Sequence, residues 1–251
     1  MNYDSVPLRD FKELNDWETV IFVYQSALKQ VETKIDILNG EFQHRHKYNP
    51  IEHVKSRIKT PESIVKKLKR HGYESSIENM VRYVNDIAGI RISCSFTSDI
   101  YLIADMISKQ NDLTILARRD YMKNPKKSGY RSYHMLVTTP VFLSDSIIDT
   151  KVEIQIRTVA QDFWATLEHK MHYKFEGDGP DYITKELREC ARYVAELDTR
   201  MEELNNEIQK YGKLSDKNKN PVKRGVPRQW FTGAIIMKKF MCNDNTLQRL
   251  S

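Results

Sequence analysis

Glycine and cysteine are both scarce in this chain, with nine glycines and three cysteines among 251 residues. No GxxxxGK(S/T) loop, no GxGxxG and no GxSxG turn occurs. Their absence argues against P-loop, dinucleotide-binding and α/β-hydrolase chemistry. Cys94, Cys190 and Cys242 are odd in number and form no CxxC pair. Neither a disulfide framework nor a zinc site is expected, and a reducing compartment is. No apolar run approaches the ~18 residues of a membrane span. The N-terminal stretch lacks the charged-then-apolar form of a signal peptide. The expectation is a cytoplasmic protein whose mature chain starts here and which makes no membrane contact.

What is abundant is charge. Forty basic against 34 acidic residues give a net +6 and a pI of about 9.0. Position qualifies that balance. Residues 213–251 hold nine basic and two acidic groups; removing them leaves 31 basic and 32 acidic groups in residues 1–212. Residues 1–212 are therefore nearly neutral, and their basic groups matter only where they cluster.

Two apolar ladders frame the chain. Leu14, Trp17, Ile21, Tyr24, Leu28, Val31, Ile35, Leu38 and Phe42 alternate steps of three and four, which predicts a helix over 14–42. Ile183, Leu187, Cys190, Val194, Leu197, Met201, Leu204, Ile208 and Tyr211 predict a second over 183–211. Such stripes serve either an internal core or subunit contact, and the pattern leaves both open. Between them, Thr60-Pro61-Glu62-Ser63 reads as a helix start, the helix running to Arg70. Short helices are predicted over 76–84 and 99–110, and a longer one over 158–175. Strands are predicted over 87–96, 113–117, 130–141 and 147–156. The fold class is α+β: a mixed β-sheet flanked by helices, with long N- and C-terminal amphipathic helices.

Lys151-Val-Glu-Ile-Gln-Ile-Arg157 carries the most chemistry. Alternation puts Val152, Ile154 and Ile156 on the core face and Glu153, Gln155 and Arg157 on the other. Polar groups in a row on a central strand need partners. Asp86 opens the strand before it. Two carboxylates from neighbouring strands suit Mg²⁺, which takes one or two carboxylates plus phosphate oxygens. Two basic clusters, Arg57, Lys59, Lys66, Lys67, Lys69 and Arg70, then Arg118, Arg119, Lys123, Lys126, Lys127 and Arg131, suit a polyphosphate. Tyr130, Ser132 and His134 share one face at strand spacing, and an aromatic beside a basic loop suits stacking on a base. His169 and His172 are three apart, without the HExxH order. With His44, His46 and His53, they carry no metal reading.

These residues fall in five blocks that resemble the small alarmone synthetases of the RelA/SpoT superfamily, of the RelP-like kind. The blocks are Tyr48–Lys59, Asn85-Asp-Ile-Ala-Gly-Ile-Arg91, Ser128-Gly-Tyr-Arg-Ser-Tyr-His134, Val152–Thr158 and Asp162–His169. The resemblance spans about residues 10–212 and implies a nucleotidyltransferase-like sheet. It implies Mg²⁺-dependent transfer of pyrophosphate from ATP to the ribose 3′-hydroxyl of GTP or GDP. The products are AMP and pppGpp or ppGpp. By the same resemblance Asp86 and Glu153 hold Mg²⁺, with Glu153 also the base. Arg57 and Arg91 sandwich adenine, and Lys59, Ser63 and Lys67 take the ATP phosphates. Tyr130 stacks on guanine. Arg119, Lys126 and His134 meet the acceptor's phosphates, Gln155 lies beside Glu153, and Asp162 stands where some relatives carry asparagine and could read guanine. A homotetramer is implied, and no His-Asp dipeptide of a hydrolase domain occurs, so synthesis alone is expected.

Two other functions use some of the same features: pyrophosphorylation of the tRNA 3′ end, and RNA binding without catalysis. Intact Asp86 and Glu153 argue against the second. The expected organisation is a synthetase domain over 1–212, with the N-terminal helix at 14–42, the core at 48–176 and the C-terminal helix at 181–212. A basic linker and short apolar tail follow over 213–251. Nucleic acid is not an expected partner for the core and is a candidate partner for the tail.

Overall fold

The computed structural model describes residues 16–46, 48–174 and 181–218. The chain divides into two compact units, Met1–Asn206 and Glu207–Ser251. The second unit's described part is the end of one helix, on which Ile208 and Tyr211 are exposed.

The first unit is organised by two apolar strands. In β2 (Ala88–Cys94), Ala88, Ile90, Ile92 and Cys94 are buried; in β5 (Ile147–Thr158), Val152, Ile154 and Ile156 are. Strands this apolar are stable only with cover, and they pair in parallel at the centre of the sheet. The other strands are β4 (Tyr133–Phe142), β3 (Thr114–Asp120) and β1 (Ile51–Ile58). The order is β1-β2-β5-β4-β3, with every pairing but β2–β5 antiparallel.

Helix α1 (Trp17–His46) lays Val20, Val23, Tyr24, Ala27, Leu28, Val31 and Ile35 against the sheet, all in one core with Ile90, Ile92, Ile154 and Ile156. Helix α4 (Thr97–Ser108) adds Ile100, Ile103, Ala104 and Ile107 to that core. Helix α2 (Pro61–Arg70) starts where the sequence predicts: the Thr60 hydroxyl accepts from the Ser63 amide, and Pro61 needs no donor in the first turn. Helices α3 (Ile77–Tyr83), α5 (Val159–Lys174) and α6 (Asp181–Asn218) complete the described elements.

The architecture matches the expected α+β sheet with long terminal helices. Several boundaries do not. Strand β1 was not expected, because it is an edge strand with most side chains in solvent and no clean alternation. Strand β3 runs three residues past the expected 117 through Arg118 and Arg119, whose charges hide it. Residues 130–132 lie outside β4, so Tyr130, Ser132 and His134 do not share a strand face. Ser132 is buried and donates to the Ile156 carbonyl. Helix α6 continues to Asn218, so residues 213–218 are helix rather than linker. Leu14 and the tail beyond 218 lie outside the described residues.

The two ladders separate. That of α1 is buried from Tyr24 to Ile35 and half-buried at its two ends, whereas Leu197, Met201 and Leu204 of α6 are exposed. No helix among the described residues is long and apolar enough to cross a membrane. Ile154 is completely buried on the central strand. Ile154→Ala is expected to cost about 2–5 kcal/mol, the usual range for such a deletion, measured as a lowered urea midpoint at unchanged slope.

Candidate active site

The pairing of β2 with β5 fixes the site. Gly89 lies opposite Glu153, Arg91 opposite Gln155 and Ser93 opposite Arg157. Across the other edge of β5, His134 faces Gln155, and Arg119 of β3 faces His134. Lys55, Arg91, Gln155, His134 and Arg119 thus form one row across all five strands. The adjacent row is Arg57, Gly89, Glu153, Leu136 and Ala117. Gly89, without a side chain, leaves the floor open between Arg57 and Glu153.

Two cavities flank this floor. One, of about 200 Å³, is lined by Lys55, Arg57, Gly89, Arg91 and Gln155, with Asp86 and Glu153 at its inner wall. The other, of about 160 Å³, is lined by Lys67, Asn85, Arg119, His134 and Leu136, again with Asp86 and Glu153. Among the described residues the two carboxylates are the only ones common to both.

Each carboxylate is met by donors. Lys59 Nζ is 2.8 Å from Asp86 Oδ2 and Lys67 Nζ 2.7 Å from Oδ1. Burial pushes the Asp86 pKa up, but these two ammonium groups outweigh it and hold it below the usual value. Gln155 Nε2 donates to Glu153 Oε2 at 2.9 Å, and His134 Nδ1 lies 3.4 Å from Oε1. For Glu153 too, burial raises the pKa and the His134 and Gln155 contacts bring it below its ordinary value. Both groups are ionised at neutral pH. Among the described residues no group of three or more His, Cys, Asp or Glu side chains gathers as a metal cage. Two anionic carboxylates facing two cavities are nevertheless a donor set that fits Mg²⁺, which draws its other ligands from phosphate and water.

An aromatic cluster meets the second cavity at His134. Tyr130 Oη lies 2.9 Å from His134 Nε2, which links Tyr130 through the imidazole to Glu153. Tyr121, Tyr130 and His134 pack edge to face, with centroids 5.1–6.2 Å apart. Lys126 Nζ sits over both tyrosine rings, at 4.8 and 4.7 Å. Tyr121 escaped the sequence reading, and only its place one residue after β3 could have signalled it.

Of the first basic cluster, Arg57, Lys59 and Lys67 face the site. Ser63 lies in the exposed first turn of α2, hydrogen-bonded to Thr60. In the second cluster Arg119 and Lys126 face the site, whereas Arg118 turns to Ser108 and Arg131 to the Met122 carbonyl. Arg157 is not on an open face as alternation implied. It is buried, with Nε 3.0 Å and Nη2 2.6 Å from Asp162 Oδ1. Arg91 Nη1 lies 3.6 Å from the same oxygen, so Asp162 holds two arginines. Arg91 lines the first cavity, and its Nε is buried without a hydrogen-bond partner among the described residues.

Lys151 was also missed. It is buried, donates to Asn85 Oδ1 at 2.7 Å and to the Arg82 carbonyl at 3.1 Å, and so pins the turn that delivers Asp86. Burial lowers its pKa to about 8.

A family model described as "Region found in RelA / SpoT proteins" matches residues 56–178. The GTP pyrophosphokinase YwaC of Bacillus subtilis is 45% identical over 195 residues, which is 78% of this chain and 93% of that protein. The chain belongs to the RelA/SpoT family. Solved relatives include small alarmone synthetase 1 of B. subtilis bound to its product pppGpp, with TM-score 0.72 and 34% identity over 77% of this chain and 98% of that one. The same protein bound to AMPCPP superposes with TM-score 0.67 at 32% identity, with the same coverage of each chain. The matched segment of this RelA/SpoT chain contains β2, β3, β4 and β5, and with them both carboxylates.

Two outcomes follow from the charges. Removing Asp162 strands a buried guanidinium. Asp162→Ala is therefore expected to lower unfolding free energy by about 3–5 kcal/mol, read by urea denaturation; a residue that only touched ligand would leave stability unchanged. The stabilisation contributed by Asp86 and Glu153 is present above ordinary carboxylate pKa values, about 4, and is lost as pH falls through their lowered folded values. Between pH 7 and about 5 this contribution is expected to stay constant, read as the difference in urea midpoint between the protein and Glu153→Gln.

Proposed function

We propose that the chain transfers pyrophosphate from ATP to the 3′-hydroxyl of GTP or GDP, releasing AMP and forming pppGpp or ppGpp. The observation that carries this reading is the meeting of two cavities at Asp86 and Glu153. A reaction between two nucleotides needs two pockets with one shared charged wall. The relatives bound to pppGpp and to AMPCPP support the reading from the ligand side.

On this reading adenine lies between Arg57 and Arg91, whose planar guanidinium groups stack on a base as lysine could not. Lys59, Lys67 and Ser63 take the ATP phosphates. The two lysines that now hold Asp86 exchange one set of anionic oxygens for another as ATP enters. Mg²⁺ held by Asp86 and Glu153 supplies neutralisation of the charge on the phosphate oxygens.

Guanine stacks on Tyr130, and Arg119, Lys126 and His134 meet the acceptor's phosphates. Asp162 meets the guanine edge through Oδ2, since Arg157 holds Oδ1. Glu153 accepts the proton of the 3′-hydroxyl, with Gln155 and His134 keeping its carboxylate in place. The 3′-oxygen bonds to the β-phosphorus, and the bond from that phosphorus to the α–β bridging oxygen breaks. AMP leaves with that oxygen. Positioning and charge neutralisation carry most of the acceleration in such a transfer.

The same reading includes a homo-oligomer, a tetramer by the resemblance. The exposed Leu197, Met201 and Leu204 of α6 supply an apolar face for it.

Chromatography of nucleotides after mixing protein, Mg²⁺, ATP and GTP is expected to show AMP and a new guanosine polyphosphate in equal amounts. Glu153→Gln is expected to abolish both products in a protein that still folds cooperatively, with a urea midpoint lowered only by the loss of the carboxylate's contacts with His134 and Gln155. Transfer to tRNA with none to GTP would overturn the acceptor assignment, and a near-normal rate in Glu153→Gln would remove the base.

A further inference from the structure

A second, small apolar cluster lies apart from the main core. Trp164 and Ala165 of α5 and Ala191 of α6 are buried together, and Tyr130 and Val194 pack on them. Trp164 Nε1 donates to the Leu187 carbonyl at 3.0 Å, which pins α5 to α6 at this level. The loop before β4 comes down on the same spot. Gly129 has φ of +92°, and a Cβ built on it would lie 2.5 Å from the Ala191 methyl carbon. Ordinary carbon contacts begin near 3.5 Å, so the loop backbone rests directly on that methyl.

The loop has little slack to absorb a shift. Gly129 N donates to the Lys126 carbonyl at 2.8 Å, and Lys126 N donates to the Tyr130 carbonyl at 3.1 Å. Residues 126–130 therefore form a closed turn that moves as one piece. Tyr130 is next in the chain after Gly129, and its hydroxyl is tied to His134 and through it to Glu153. Beside the contact lies a cavity of about 330 Å³ lined by Gly129, Arg131, Arg188, Ala191 and Arg192 among others. The turn is thus supported at a point and not along a packed wall.

We propose that Ala191 is a positioning residue for the acceptor nucleotide: its methyl group sets the height of Gly129 and so the plane that Tyr130 offers to the acceptor base. The inference rests on the assignment of Tyr130 to that base. It places part of the acceptor site's geometry on α6, outside the family-matched residues 56–178 and outside every polar contact of the site. A larger side chain at 191 lifts the turn, and a Cβ at 129 does the same from the other side. Neither change touches Arg57, Arg91 or the lysines on Asp86.

The test compares KM for GTP with KM for ATP in Ala191→Leu, in Gly129→Ala, in Gly129→Ala combined with Ala191→Gly, and in Tyr130→Ala. Ala191→Leu and Gly129→Ala are each expected to raise KM for GTP about tenfold, with KM for ATP changed less than about twofold, because misplacement near 1 Å is costly in such sites. The double variant keeps the strained φ but opens room for the new Cβ, so it is expected to regain most of the GTP affinity lost in Gly129→Ala. If Ala191→Leu does not fold, Gly129→Ala and its rescue decide the matter alone. An unchanged KM for GTP, equal rises for both nucleotides, or a double variant no better than Gly129→Ala would each overturn the proposal. Tyr130→Ala separates the two levels. A selective loss of GTP there, with none in the Ala191 and Gly129 variants, rejects the positioning role alone. No loss there rejects the assignment of Tyr130 and the inference with it.

Discussion

A carboxylate on the central strand of a sheet must be matched by donors from its neighbours, and Glu153 imposes that requirement on the rest of the structure. Unpaired, an ionised group in this position would cost several kcal/mol or lose its charge. Gln155 on its own strand and His134 on the next meet it. The same balance recurs at Asp86 with Lys59 and Lys67, and at Asp162 with Arg157 and Arg91. Each anion on the cleft face is matched locally, which is why a region of 31 basic and 32 acidic residues concentrates so much charge without a net field.

The sheet order turns that local balance into a two-sided site. Parallel pairing of β2 and β5 sets Gly89 beside Glu153, and the missing side chain keeps the floor open. The edge strands then bring Arg57 from one side and Arg119 from the other. Edge strands are suited to this, since their outer side chains stay solvated and long cations there lose little hydration. Strand β5 and the turn before β2 supply the two shared anions, and the edges supply adaptable cations. A pocket wall common to two cavities is the consequence.

The two long helices show how one periodicity serves different ends. In α1 the ladder from Trp17 to Leu38 turns toward the sheet and joins the main core. In α6 the same spacing leaves Leu197, Met201 and Leu204 in solvent, while Ala191 and its neighbours are covered. A heptad stripe encodes an apolar face but not what the face meets. The meeting is decided by where the helix emerges from the fold.

Alternation along 152–157, the cap at Thr60 and the apolar character of 87–96 were enough to determine the central strands, the start of α2 and the face that carries Glu153 and Gln155. Those features are local, and period and capping express them within a few residues of chain. Edge strand β1, the length of β3, the burial of Arg157 and the pinning of the Asp86 turn by Lys151 were decided only by tertiary structure. Each depends on a partner distant in sequence: Arg91 for Lys55, His134 for Arg119, Asn85 for Lys151. Even Asp162, only five residues from Arg157, meets it because the chain turns from strand to helix between them. Side-chain identity states which charges are available, and the register of five strands states which of them meet.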